Sequence, residues 1–251
     1  MFSIGKFIVT AAGIAAIVGL SQKSSASEPA ADDPAPDPEP APTVAYVNGA
    51  EEGQALPLVV VLHADGSSPS AAIDLIRPPL GMTGAARIIA PAGRYGSGNT
   101  RFFVNPNFKG VSYWIALRKE LTRLGEQLET FVTEAPMPAP PRAMIVGLGS
   151  GGALAIGLGL QMPIRVRQAW GVGGAVPSSW VPLAMPALNN MQRPTLRKIT
   201  YGEAVETDNA TAKLAQSRGA DFSLMQVAGP PDMDTVRKWI IADLDLFLNT
   251  P

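Results

Sequence analysis

Short runs of apolar residues alternate along this chain with longer segments of helical period. The runs "LVVVL", "ARIIAPAG" and "AMIVGLG" contain almost no polar residue, which is typical of strands buried on both faces of a parallel sheet. Between the second and third runs, apolar residues recur at spacings of three and four, which predicts an amphipathic helix over "VSYWIALRKELTRLGEQLETFVTEA". Three further strands are predicted by "VRQAWGVGG", "TLRKITYGE" and "DFSLMQVAG".

Helical segments separate these strands. "SGGALAIGLGLQM" is apolar nearly all round, which predicts a buried helix. "DNATAKLAQSRG" predicts a helix that is capped by Asp208 or Thr207 and stopped by Gly219. The closing helix is predicted over "PDMDTVRKWIIADLDLFL".

The alternation of strands and helices predicts an α/β fold. We expect a doubly wound, mostly parallel sheet in a single domain over residues 56–251. Within it, Val59–Leu62, Arg87–Ala90 and Ala143–Val146 should lie side by side and parallel. Ligands of such sheets bind outside the carboxyl ends of the strands, so candidate chemistry is sought there.

The first 26 residues have the pattern of an export signal. Lys6 precedes the apolar run Phe7–Leu20, and the small residues of "SSAS" allow cleavage after Ala26. The run is shorter than the roughly 20 residues that span a bilayer. We therefore predict a signal peptide over residues 1–26, and an uncleaved membrane anchor formed by residues 7–20 is the alternative. Both hypotheses give an exported protein, either periplasmic or secreted.

Residues 27–55 are rich in proline and acid, and we predict that they form a disordered tether. The whole chain has a net charge of −1, which provides no strong field to attract nucleic acid. It contains no cysteine and a single histidine, His63, which excludes thiolate sites and histidine-rich metal sites. We expect neither a metal nor a cofactor.

Several segments, in this order, resemble one family of enzymes. They are "VVVLHADGSSP", "ARIIAPAG", "GLGSGGALAIGLGL", "ITYGEAVE" and the last helix. From roughly Leu56 to the end, the chain resembles the acyl-protein thioesterase-like serine esterases, the phospholipase/carboxylesterase branch of the α/β-hydrolase fold. The resemblance implies that the first segment is an oxyanion loop, the third a nucleophile elbow, and the fourth the region of a catalytic aspartate.

The chemistry of that family requires a serine, a histidine and an aspartate. The resemblance places Gly149 at the nucleophile position, Val205 at the aspartate position, and the segment centred on Pro230 at the histidine position. No histidine follows His63 in the chain. The triad is therefore predicted to be lost at all three positions.

Ser150, the residue after Gly149, is the remaining candidate nucleophile. A turn shifted by one residue would place Leu148 two positions before the nucleophile, where a large side chain is crowded. We expect Ser150 to cap the following helix instead. His63 is expected mainly to hold its own loop. The predicted oxyanion pocket consists of His63, Ala64, Asp65, Gly66, Ser150 and Gly151.

These observations favour a non-catalytic binding or scaffolding module. Its expected partner is a small acyl or carboxylate ligand or an envelope protein, with membrane contact only through the possible N-terminal anchor. Asp65 and Glu203 near the rim would oppose an anion. An active carboxylic ester hydrolase that uses Ser150 with a non-standard base is the alternative. A purely structural envelope protein, without a ligand pocket, is a third hypothesis.

Overall fold

The structure, a computed structural model, describes residues 38, 40–77, 84–134, 136–138, 142–183 and 193–249. The predicted signal peptide or anchor (1–26) and the first part of the predicted tether (27–37) lie outside these residues. Within the described ranges, no helix is both long enough and apolar enough to cross a membrane.

Strands and helices alternate as the sequence predicts. The strands are β1 (Thr43–Val47), β2 (Leu58–Leu62), β3 (Ala86–Ala90), β4 (Tyr95–Ser97), β5 (Thr100–Phe102), β6 (Ala143–Leu148), β7 (Val166–Val172), β8 (Thr195–Thr200) and β9 (Asp221–Gln226). The helices are α1 (Pro69–Ile76), α2 (Gly110–Glu134), α3 (Ser150–Gln161), α4 (Ala204–Ser217) and α5 (Met233–Asn249), and a short 3₁₀ turn covers Ser178–Trp180.

Seven strands form one sheet, in the order β1-β3-β2-β6-β7-β8-β9. Strand β2 pairs in parallel with both β3 and β6, so the three apolar runs lie side by side, and that prediction is confirmed. The pairs from β6 to β9 are also parallel. The predicted α/β class with a mostly parallel sheet is thus confirmed. The segment after β3 contains a separate hairpin of β4 and β5, which the hydrophobic pattern did not predict.

Strand β1 lies inside the segment that was assigned to the disordered tether. It pairs antiparallel with β3, from Thr43 opposite Ala90 to Val47 opposite Ala86. The tether prediction is therefore wrong for these five residues. Val44 and Tyr46 are exposed whereas Val47 is buried, so the strand has the weak alternation of a sheet edge. The acidic residues on either side concealed that short signal.

The two faces of the sheet carry separate layers of core. On β2, Val59 and Val61 contact the layer formed with α1 and α5, while Leu58, Val60 and Leu62 contact the layer formed with α2, α3 and α4. Successive side chains of a strand point to opposite faces. Both faces of β2 are covered, which explains why its sequence is a continuous apolar run.

Helix α4 begins earlier than the sequence predicts, and its polar residues have a different role. Its N-cap is Glu203, so the predicted cap at Asp208 or Thr207 is wrong. Asp208 lies in the second turn and is fully buried, with Oδ2 3.2 Å from Nζ of the equally buried Lys198 on β8. Burial is the main cause that lowers the pKa of Lys198, and the charge of Asp208 opposes that shift.

The pair also binds the chain that follows β7. Lys198 Nζ donates to the carbonyl oxygen of Gly173 at 2.7 Å, and Asp208 Oδ1 accepts from the N–H of Val176 at 2.7 Å. Two charges buried in this way compensate each other, and removal of one leaves the other without a counter-charge. The ion pair therefore fixes the position of the loop after β7.

We predict that Asp208→Asn lowers the free energy of unfolding by about 3–5 kcal/mol, because it leaves the Lys198 ammonium uncompensated. Urea denaturation at pH 7 measures the change. The matched control is Glu206→Gln, at an exposed position of the same helix, with an expected change below about 0.5 kcal/mol. The double variant Lys198→Met, Asp208→Asn should be more stable than Asp208→Asn alone. An Asp208→Asn variant as stable as the control would contradict the role of the ion pair.

Candidate active site

A tight turn joins β6 to α3 at the carboxyl end of the sheet. Gly149, at its tip, has φ 56° and ψ −128°, a conformation that residues with a Cβ atom rarely adopt. Its N–H donates to the carbonyl oxygen of Val172 at 2.8 Å. A strained strand-to-helix turn of this kind is the arrangement that a nucleophile elbow uses to expose its central side chain.

Glycines two residues before and after the tip allow the turn to form. A Cβ atom on Gly147 would overlap the carbonyl oxygen of Gly151, and a Cβ atom on Gly151 would lie 2.5 Å from the carbonyl oxygen of His63. Only glycine fits at either position, as the elbow geometry requires. Gly149 lies midway between the two glycines and therefore occupies the tip of the turn.

The tip itself has room for a side chain. A Cβ atom built on Gly149 would lie 3.7 Å from the Cα and Cβ atoms of Ala64 and from the backbone nitrogen of Asp65, which are ordinary van der Waals distances. The glycine at this position is thus not required by a steric clash. Its positive φ is the strain that a nucleophilic residue would have to tolerate.

Ser150 is the first residue of α3, and Gly149 occupies the N-cap position. The expectation that Ser150 caps the helix is therefore wrong. The cap position is already occupied by the strained residue Gly149, so Ser150 lies inside the helix. Its hydroxyl donates to Oδ1 of Asp65 at 2.6 Å, and the residue is only 2% exposed. The bond joins residues far apart in sequence, so no local pattern could have predicted it.

His63 is fully buried at the end of β2. Its Nε2 accepts from the N–H of Gly93 at 2.9 Å, and its Nδ1 lies 2.8 Å from the carbonyl oxygen of Ala64. A carbonyl oxygen can only accept, so the proton is on Nδ1. The ring stacks on Phe103 with 4.3 Å between centroids, and burial is the main cause that lowers the pKa of His63. Both nitrogens are engaged in holding the loops after β2 and β3.

Asp65 gives the rim of the turn a negative charge. It is exposed, and its backbone nitrogen faces the position that a side chain on Gly149 would take. Burial and the charge of Asp65 together raise the pKa of Tyr113, in the first turn of α2, to about 12. The adjacent Gly66 donates its N–H to the carbonyl oxygen of Arg101 at 2.9 Å. The residues predicted to line the pocket, His63–Gly66 with Ser150 and Gly151, are therefore brought together.

The two other positions that the resemblance assigns to a triad also follow strands of the sheet. Val205 follows β8 as the second residue of α4 and is half-buried, and Pro230 follows β9 on an exposed loop. Neither side chain can accept or donate a proton. Among the described residues, no group of three or more histidine, aspartate or glutamate side chains could hold a metal ion.

No family model matches the chain, and no curated protein matches its sequence. Solved structures do resemble it. The esterase PE8 is 17% identical, with a TM-score of 0.57 over 80% of this chain and 98% of the esterase. A carboxylesterase from Bacillus cereus is 13% identical, with a TM-score of 0.55 over 81% and 94% of the two chains. Acyl-protein thioesterase 2 from Zea mays is 13% identical, with a TM-score of 0.52 over 80% and 99%.

Identities at this level establish a shared fold and leave function to be argued from the site. The fold of these solved structures agrees with the resemblance that the sequences of the strand and elbow segments indicate. The chain has the α/β-hydrolase fold of carboxylesterases and acyl-protein thioesterases.

Proposed function

We propose that this protein is a non-catalytic binding or scaffolding member of the α/β-hydrolase fold. The observation that carries the proposal is the glycine at the tip of the elbow. Gly149 has the backbone geometry of a nucleophile and space for a side chain, yet it offers no nucleophilic atom. Val205 and Pro230 supply neither of the two other groups that the reaction needs.

The geometry also favours a particular kind of ligand. Helix α3 begins at the elbow, and the N-terminus of a helix favours an anion or a carbonyl oxygen. The carboxylate of Asp65 lies at the same place and repels an anion. A neutral acyl carbonyl therefore suits this pocket better than a free carboxylate. A protein of the cell envelope is the corresponding partner if the module is a scaffold.

One contact supports a second candidate function, an ester hydrolase that uses Ser150. Its hydroxyl lies 2.6 Å from Asp65, which would then act as the non-standard base. Against this function, Ser150 is almost completely buried and lies one residue beyond the tip. A nucleophile must reach the carbonyl carbon of its substrate, and the tip is the position that is exposed for this purpose.

We predict that the protein does not turn over p-nitrophenyl acetate or butyrate at an enzymatic rate, and that Ser150→Ala leaves the low rate unchanged. Backbone donors alone can still accelerate the reaction by about 10³ over water, so a weak signal is expected. Turnover at about 1 s⁻¹ or faster, with a loss of at least a hundredfold in Ser150→Ala, would establish Ser150 as the nucleophile instead.

A gain-of-function variant provides the matched control for this assay. This variant combines Gly149→Ser, Val205→Asp and Pro230→His. It places a serine, an aspartate and a histidine at the positions that the resemblance assigns to the triad. A fluorophosphonate probe should label this triple variant and leave the wild type unlabelled. Labelling of the wild type at Ser150 would contradict the non-catalytic function.

We propose that His63 is a structural residue and not a relocated base, because both of its ring nitrogens bind backbone groups. This role makes stability depend on pH. The unfolded chain binds a proton at about pH 6.5, whereas the folded chain, with its lowered pKa, binds one only at lower pH. The unfolded state therefore holds more protons below pH 6.5, and stability falls as pH decreases through this range.

The free energy of unfolding should accordingly decrease below pH 6.5 with a slope of up to about 1.4 kcal/mol per pH unit. Urea denaturation between pH 7.5 and 5.5 measures the slope. The control is His63→Gln, which should remove this slope although it lowers stability overall. The imidazole of the wild type, the only one in the chain, should titrate below pH 6.5 by NMR. An imidazole that titrates at or above pH 6.5 would contradict the structural role.

We propose that the protein is exported, because a charged start, a short apolar run and a small-residue exit occur together in residues 1–26. Mass spectrometry of protein from its native host should find a mature chain that begins near Ser27. Recovery of the intact chain from the membrane fraction would support an anchor over residues 7–20 instead. An intact chain in the cytosol would contradict export by either route.

A further inference from the structure

The outer face of α5 carries an apolar stripe whose side chains are exposed. Trp239 and Leu246 are 38% and 65% exposed, and the exposed Ala242 lies between them. The spacings of three and four place all three residues on one side of the helix. The opposite side, with Ile240 and Leu244, is fully buried against the sheet. The helix is thus apolar on two faces, only one of which is needed for the core.

Two charges of opposite sign lie along one edge of this stripe. Successive residues are about 100° apart around a helix, so Lys238 and Asp245 are separated by only about 20°. Both lie on one side of Ala242, and Trp239 and Leu246 lie on its other side. A third charge on this edge, Asp234, lies in the first turn of α5, outside the stripe. Two other charges of α5 bind within the molecule. Arg237 donates to the carbonyl oxygen of Leu75 at 2.8 Å, and Asp243 forms an ion pair with Arg197 at 2.6 Å. Lys238 is exposed, and Asp245 accepts a bond from Asn249 of its own helix.

This pattern is complementary to itself when reversed. Two copies of the helix can pack antiparallel about a two-fold axis that is perpendicular to both helices. In that arrangement, each edge of one helix lies beside the same edge of the other helix. With the axis at Ala242, Lys238 of one copy faces Asp245 of the other. Trp239 likewise faces Leu246. The midpoints of both pairs fall within one residue of Ala242, so a single axis satisfies the two contacts together. The small side chain of Ala242 allows the helices to approach closely at the crossing point.

We propose that α5 forms the interface of a homodimer, in which two copies pack antiparallel through Trp239, Ala242 and Leu246. Two interhelical ion pairs between Lys238 and Asp245 flank the apolar contact and set its direction and register. Burial of a tryptophan and a leucine from each copy supplies the driving force. A single pair of helices makes a small interface, so the dimer is expected to be weak and to dissociate on dilution. The interface lies on α5, which does not contribute to the elbow, and it is independent of the proposed function.

Sedimentation velocity of the full chain over a concentration series, up to about 200 µM, tests the proposal. The expected result is a concentration-dependent monomer–dimer equilibrium. Trp239→Ala should shift it to the monomer. The matched control is Ile115→Ala on α2, another apolar residue that is 54% exposed, which should leave the equilibrium unchanged. A wild type that remains monomeric at every concentration would overturn the proposal, and so would a dimer unaffected by Trp239→Ala.

Charge reversal tests the antiparallel register. Lys238→Asp alone, or Asp245→Lys alone, places like charges opposite each other at both ends and should weaken dimerisation by about tenfold or more. The double variant exchanges the two charges and should restore the wild-type dissociation constant to within about threefold. Failure of the double variant to recover, with circular dichroism showing an intact fold, would overturn the antiparallel arrangement.

Discussion

The close approach of backbone segments around Gly149 is the constraint on which the rest of this site depends. Gly147 and Gly151 have no space for a side chain, and a Cβ atom on Gly174 would overlap the carbonyl oxygen of Gly149. Strand β6, helix α3 and the loop after β7 meet here with only backbone between them. The sheet and the buried helix can join in this way only because the residues at the junction are glycines.

Polar groups inside the protein hold the segments that surround this junction. His63 joins the loops after β2 and β3 through two backbone groups, and the Lys198–Asp208 pair holds the loop after β7 through two others. Each group is buried and engaged with a partner, so it contributes to a single defined arrangement of the loops. These buried polar groups therefore maintain the shape of the junction.

Under the proposed binding function, the elbow keeps its shape while its tip offers no nucleophilic atom. Helix α3 begins at the elbow, and the carboxylate of Asp65 accepts from the hydroxyl of its first residue, Ser150, so a negative charge lies where an oxyanion hole would stabilise one. Such a pocket stabilises developing negative charge less well than it accommodates a neutral carbonyl. Under the proposed binding function, the charge of Asp65 is a physical reason for a ligand to be bound without being hydrolysed.

Much of the architecture follows directly from the sequence, because burial on both faces of a sheet leaves continuous apolar runs. The runs at β2, β3 and β6 predicted both the parallel sheet and their adjacency. Short or polar elements escaped prediction: β1 lies between acidic residues, and α4 starts before its apparent cap. The local sequence around Gly149 indicated an elbow with glycine at its tip. Only the tertiary structure determined that Ser150 bonds to Asp65 and that Lys198 meets Asp208, because these partners are distant in sequence and no periodic pattern relates them.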